Sequence, residues 1–382
     1  MKPISTKKAL ALCYGGMICI AVAANLTPLF LTTFSELFLL NEEQLGRIAA
    51  IIFAGFVVGI IITGPLADRL GAKPFVLLGL AFTAAGLALL GAAINYPLLL
   101  AAAALMGLGA GLLDMVLSPI VSALQPDRRA SAMNWLHSFY CIGALITVLV
   151  GALALRLQWS WRPVSFAIIL LPAFLILGFA RLRIPPLVHE DNEREPVVAL
   201  LRRPFFIAAL MLILLAGATE NGMSQWLPAY AERVLNFGKA SSGMALAGFS
   251  ICMALGRILA ASAAHHVPPR ALLSACGLLS AIMYLTGCFA PWPPVALTAC
   301  MLVGFTGGCL WPTTLAVTAD RIPHGGASMF GMLAASGNAG CLILPWLIGF
   351  LAEHSTLQYA LAAGTLCPLL ISLLPLLMPP KH

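Results

Sequence analysis

The sequence predicts an all-α integral membrane protein of twelve transmembrane helices, arranged as two similar six-helix bundles. Three observations carry this. Hydrophobic residues make up 61% of the 382 residues and charged residues only 9%, where a soluble domain carries about 25% charged residues. Twelve apolar segments follow one another, each near the ~20 residues that a helix needs to cross a bilayer. The chain also repeats itself: a shift of 197 residues places Gly46 on Gly243, Gly59 on Gly256, Lys73 on Arg270, Gly107 on Gly304, Gly111 on Gly308 and Gly143 on Gly340.

In order, the apolar segments run over 9–33, 45–66, 74–94, 98–124, 131–155, 161–181, 204–229, 241–263, 271–290, 294–318, 328–351 and 358–378. Together with short loops they account for nearly the whole chain. Lys2, Lys7 and Lys8 before the first segment resemble the start of a signal peptide. With no convincing cleavage site and eleven further spans, the segment reads as the first transmembrane helix. Residues 182–203 form the one long polar stretch, with Glu190, Asp191, Glu193, Arg194 and Glu195 in a run. It reads as a solvated cytosolic linker between an N-terminal bundle, 1–181, and a C-terminal bundle, 204–382.

Charge bias orients the spans. With a cytosolic N-terminus, sixteen of the lysines and arginines fall on the inner side. Only five, Arg47, Arg156, Arg162, Arg233 and Lys239, fall on the outer side. That asymmetry predicts a multi-pass protein of the cell (inner) membrane with both termini cytosolic. It also accounts for the net charge of +7, so no nucleic-acid partner is expected. Tyr96, Trp159, Trp161 and Trp292 fall at predicted outer ends, where aromatic rings favour the interface. The ten cysteines lie almost entirely in apolar segments without a CxxC or Cys/His cluster. They read as small packing residues, and no metal or cofactor is expected.

Between the second and third spans lies Gly64-Pro-Leu-Ala-Asp-Arg-Leu-Gly-Ala-Lys73, a polar break that places Asp68, Arg69 and Lys73 in a tight turn. Gly64 and Gly71 would let the two helix ends approach closely. The pattern resembles the G-x-L-a-D-r-x-G-r-k loop of the major facilitator superfamily. That resemblance implies a conformational latch in which the Asp68 carboxylate meets a helix N-terminus and basic neighbours of the other half. In the second copy His265 and His266 replace Asp68 and Arg69, which reads as loop drift. The repeat as a whole implies two parallel halves related by an axis along the membrane normal, with a solute site between them near the midplane.

Charge within the bilayer is costly, at least ~2.5 kcal/mol per group, and so points to function. Asp114 falls near the middle of span 4, Glu220 near the middle of span 7, and Arg257 in the inner half of span 8, where it could snorkel to the cytosol. Each carboxyl is either a hydrogen-bonded structural group or one that binds solute or cycles a proton. Burial raises a carboxyl's hold on its proton, which suits the second role. His137 on span 5 could share a proton with Asp114 or serve in packing. The candidate proton-coupling set is therefore Asp114, Glu220 and His137.

Span 7 continues as Glu220-Asn-Gly-Met-Ser-Gln-Trp-Leu-Pro-Ala-Tyr230. Gly222 and Pro228 are expected to weaken the helix, as where backbone lines a cavity. Carboxyl and amide groups suit a polyhydroxylated solute, and the Trp226 indole could stack on a sugar ring. The candidate solute-binding set is Glu220, Asn221, Gln225, Trp226, Asp114, Asn338 and Asn25. Glu220…Trp226…Tyr230, Gly111-x-x-Asp114-x-x-x-x-Pro119 and Asn134-x-x-His137-x-x-x-x-x-Gly143 resemble the fucose/glucose–proton symporter branch of the superfamily. That resemblance implies that Asp114 matches a carboxylate contributing to the sugar and proton site. The sequence departs from the branch at Asn25-Leu-Thr-Pro28, where the branch's span 1 acid is missing, and at Tyr140 on span 5.

The reading is thus a secondary active transporter, a monomer, that moves a small polar solute by alternating access with proton symport. Two rivals stand beside it. A drug-efflux antiporter of the same fold usually carries an arginine before the span 4 glycines and a Gly-Pro pair in span 5. This chain has Ala104-Leu-Met106 and Gly143-Ala-Leu-Ile-Thr-Val-Leu-Val-Gly151 there. A receptor on a transporter fold usually carries an added signalling domain. Phosphate-binding loops, catalytic triads and metal motifs are absent from the sequence, so an enzyme is not expected.

Overall fold

The computed structural model describes residues 6–125, 129–182, 184, 197–263, 266–322 and 325–377. The acidic run of the 182–203 linker, His265 and both chain ends lie outside them. Twelve helical segments among the described residues are long and apolar enough to cross a membrane. They are α1 (Thr6–Phe38), α2 (Glu42–Leu70), α3 (Ala72–Ala92), α4 (Tyr96–Leu124), α5 (Arg129–Arg156), α6 (Trp161–Arg181), α7 (Pro204–Arg233), α8 (Lys239–Ala263), α9 (Pro269–Phe289), α10 (Pro293–Arg321), α11 (Gly326–His354) and α12 (Leu357–Leu377). All twelve expected spans are found.

Four of them are interrupted. α1 passes through a 3-10 turn at Thr27–Phe30, where Pro28 cannot donate to the ladder. Breaks at Ile169 in α6, Gly308–Cys309 in α10 and Gly364–Thr365 in α12 lie within four residues of Pro172, Pro312 and Pro368 respectively. α7, expected to weaken at Gly222 and Pro228, instead runs unbroken from Pro204 to Arg233. Gly222 serves close packing there: a Cβ at that position would fall 2.5 Å from a Leu344 methyl.

The expected ten-residue break at 64–73 shrinks to one residue. α2 continues through Asp68 to Leu70 and α3 starts at Ala72, with Gly71 alone between them at φ +78°. Polar residues at a membrane edge do not have to leave the helix, so hydropathy ends before the helix does. Gly64 lies inside α2, and the nearest atom to a Cβ there would be the Met115 terminal methyl at 3.5 Å. Gly71 supplies the left-handed backbone and Gly64 is not a close-approach point.

The chain forms two compact units, Met1–Phe30 with Ile51–Glu190, and Leu31–Ala50 with Asp191–His382. Their boundary differs from a plain cut at the linker in one segment, residues 31–50. Polar contacts inside the second unit explain the difference. Thr32 donates to Glu232 at 2.7 Å, Lys239 pairs with Glu36 at 2.7 Å, and Arg233 pairs with Glu42. Gly46 fits against α11, where a Cβ would sit 2.8 Å from the Pro345 carbonyl.

The sequence repeat reappears as repeated packing. In the first unit, a Cβ on Gly107 would fall 1.9 Å from the Ile52 carbonyl and one on Gly111 2.2 Å from that of Phe56. In the second, Gly304 stands 2.5 Å from the Phe249 carbonyl and Gly308 2.7 Å from that of Met253 by the same measure. Each contact maps onto its counterpart by the 197-residue shift, so α4 approaches α2 as α10 approaches α8. Small residues permit this backbone approach in a medium that offers no hydrophobic drive between helices.

Around these contacts the spans leave large apolar side chains such as Ile61, Leu170 and Phe174 outward, as a lipid-facing surface requires. Trp159 and Trp292 are exposed, but Trp161, expected at the interface, is buried and donates its indole N–H to Leu90 at 2.9 Å. With Arg162, which donates to the Gly91 carbonyl at 3.0 Å, it adds to the capping of α3, where the Leu90 carbonyl also accepts from the Ala93 N–H at 3.2 Å.

Candidate functional site

The first unit contributes Asp114, more than two turns from either end of α4. It is half-buried, and among the described residues it accepts no hydrogen bond and forms no ion pair. Of the two roles open to His137, proton sharing with Asp114 is not seen among the described residues; His137 is exposed on α5. Asn25 closes the regular part of α1 by donating to the Ala21 carbonyl at 2.9 Å, one turn back. Of the residues expected to form a latch, Lys73 donates to the carbonyls of Ala180 and Leu182 at 2.8 and 2.9 Å. It thus caps the C-terminal end of α6, where a cation is favoured. Arg69 is exposed in the last turn of α2, and Asp68 lies one residue before it.

The second unit contributes Glu220, and here the structure differs from the sequence reading. Arg257 does not snorkel away. Its Nη2 donates to Glu220 Oε2 at 3.2 Å, and its Nε donates to the Gly308 carbonyl at 3.1 Å. That carbonyl is vacant for a local reason: its helical partner would be the N–H of residue 312, which is a proline. The side chains of Arg257 and Glu220 are 28% and 15% exposed, so the pair lies in the interior of the span region without being sealed.

Neighbouring polar groups are bonded within the fold or buried. Asn221 donates to Cys341 Sγ at 3.0 Å across the α7–α11 contact, a contact made close by Gly217 and Gly340. Asn338 bonds back to the Ala334 carbonyl at 2.9 Å. Gln225 is buried at 3% exposure. Trp226 is 1% exposed and its indole N–H is held by the Pro345 carbonyl at 2.9 Å. Its ring fills the α7–α11 interior and is not presented to a solute, which corrects the stacking role expected from sequence.

The pairing of Arg257 with Glu220 was not read from the sequence, because contacts across helices have no spacing to read. A signal was nevertheless present. Under the 197-residue shift, Glu220 and Arg257 correspond to Ala23 and Ile60, and Pro312 to Met115. The second copy alone carries the charges and the proline that frees a carbonyl for one of them.

Comparison with known proteins settles the family. The family model described as Major Facilitator Superfamily matches residues 12–248 and 233–382. The chain belongs to the Major Facilitator Superfamily. Among curated superfamily proteins, the L-fucose-proton symporter of Escherichia coli K12 is 26% identical over 320 residues, 73% of each chain. A multidrug resistance protein, MdtL, of E. coli O17:K52:H18 is 26% identical over 344 residues, covering 87% of this chain and 86% of MdtL. An uncharacterised MFS-type transporter of Yersinia pestis is 24% identical over 337 residues, with coverage of 87% and 86%.

Solved superfamily structures share the fold. A point mutant of the nucleoside transporter NupG superposes with a TM-score of 0.80 at 13% identity, covering 97% of this chain and 98% of that one. FucP in the outward conformation superposes at 0.67 with 22% identity, covering 96% and 97%. The protein is thus a multi-pass membrane transporter of small molecules, and these superfamily relatives are transporters, not enzymes.

Proposed function

We propose that this transporter moves a small polar solute, a sugar or sugar-like compound, by proton-coupled symport through alternating access. It would work as a monomer in the cell (inner) membrane with both termini cytosolic. One observation carries the assignment of roles: of the two mid-span carboxyls, Asp114 has no partner among the described residues, while Glu220 is ion-paired with Arg257. An unpartnered carboxyl in a low-dielectric region can take up and release a proton with little rearrangement. A carboxylate ion-paired with a guanidinium offers its remaining lone pairs to hydroxyl donors. Asp114 is therefore the proton carrier and Glu220 the solute acceptor, aided by Asn221. The similarity to the L-fucose-proton symporter supports this reading.

A drug-efflux function is the second reading, favoured by equal identity to MdtL over a longer stretch. The missing arginine before Gly107 and the missing Gly-Pro pair in α5 speak for the symporter. Uptake of labelled sugars into proteoliposomes, with and without an inward proton gradient, tests the proposal. Gradient-driven accumulation of a sugar supports it; proton-driven extrusion of apolar cations with no sugar uptake would overturn it.

A further inference from the structure

The Arg257–Glu220 pair does not belong to the shared scaffold. The first copy of the repeat packs the same backbone contacts with Ala23 and Ile60, both buried, in those two places. The pair is thus an addition to a helix framework that assembles without it. It is also set up asymmetrically. Arg257 is gripped on one side by the carbonyl that Pro312 frees in α10 and on the other by one oxygen of Glu220. The second oxygen, Oε1, accepts no hydrogen bond among the described residues.

We propose that Arg257 and Glu220 act as one charge-compensated unit that selects solutes by net charge, with Arg257 a specificity-determining residue. This rests on the reading of Glu220 as part of the solute site. The two side chains sum to zero charge in a region where an uncompensated charge is expensive. A neutral polyhydroxylated solute leaves that balance untouched, donating hydroxyls to Oε1 and accepting from N–H groups nearby. A solute with a net charge brings it into the site without a counter-charge and loses its hydration in doing so. Specificity then comes from rejection as much as from attraction. Removing one member of the pair reverses the rule, because the solute itself now supplies the missing charge.

The test uses three probes sharing one ring and differing in charge: a neutral hexose, the hexuronate and the hexosamine. Their binding to the purified full chain is measured at neutral pH. The wild type binds the hexose in preference to either charged probe. Glu220→Gln shifts the hexuronate-to-hexose ratio at least tenfold upward, Arg257→Gln shifts the hexosamine-to-hexose ratio at least tenfold upward, and the double variant returns to the neutral preference. Arg257→Lys, which keeps the charge, retains the wild-type order and serves should Arg257→Gln fold poorly. Opposite shifts in the single variants uphold the proposal even if the wild type ignores the hexose, a result that would count against the sugar reading alone. If neither single variant gains the oppositely charged probe, including by binding none of the three, the pair is a structural clamp and the proposal falls.

Discussion

Arg257 holds a guanidinium N–H 3.2 Å from Glu220 Oε2, so the mid-span acid of the second unit is ion-paired while Asp114 of the first has no partner among the described residues. Two carboxyls that look alike in sequence are thereby given different chemistry. Glu220 has a cationic partner and Asp114 does not, which fits the proposed roles of solute acceptor and proton carrier. This division underlies the functional predictions, and the packing beneath it makes predictions of its own.

Gly107→Ala should destabilise the protein by roughly 1–3 kcal/mol, the usual cost of overpacking a close contact. Its methyl would arrive 1.9 Å from the Ile52 carbonyl, and backbone cannot yield as a side chain can. Gly64→Ala meets only the flexible end of Met115 at 3.5 Å and should be near neutral. Thermal unfolding of both variants in detergent checks this; equal midpoints would mean that α2 and α4 are not held at that distance.

Asp68→Asn should leave folding intact and slow transport. Asp68 lies in the last turn of α2, where the helix dipole disfavours an anion by about 0.3–1 kcal/mol. Unchanged transport rate together with unchanged cysteine-accessibility labelling would leave the latch role without support.

Much of this was legible in the sequence, for definite reasons. Spans are fixed by hydropathy over ~20 residues, a signal too long to miss. The repeat showed because backbone contact tolerates only small residues, so Gly107 and Gly304, or Gly111 and Gly308, had to coincide under one offset. The extent of α2 was not legible, because Asp68 and Arg69 look the same to hydropathy in a loop or in a final helical turn. Nor was the fate of Trp226, whose amphipathic ring suits a sugar or a buried carbonyl equally well and here takes Pro345. The partner of Glu220 depended on a carbonyl freed in another helix by Pro312, a relation that only three dimensions supply.

Glu220→Gln should weaken solute binding by about 10–100-fold, since a hydrogen bond to a charged group contributes roughly 1.5–3 kcal/mol. At saturating solute the gradient-driven accumulation ratio should persist, because Asp114, the proposed proton carrier, is untouched. Initial rates against solute concentration, with the final accumulation ratio, separate the two effects. Lost accumulation with unchanged affinity would move the proton role to Glu220.

The most direct test of the account is Asp114→Asn in proteoliposomes, comparing gradient-driven accumulation of a labelled solute with its exchange at zero gradient. The amide keeps hydrogen-bonding capacity but cannot cycle a proton, so accumulation should vanish while exchange persists. Accumulation at the wild-type level would contradict the account and return Asp114 to a structural role.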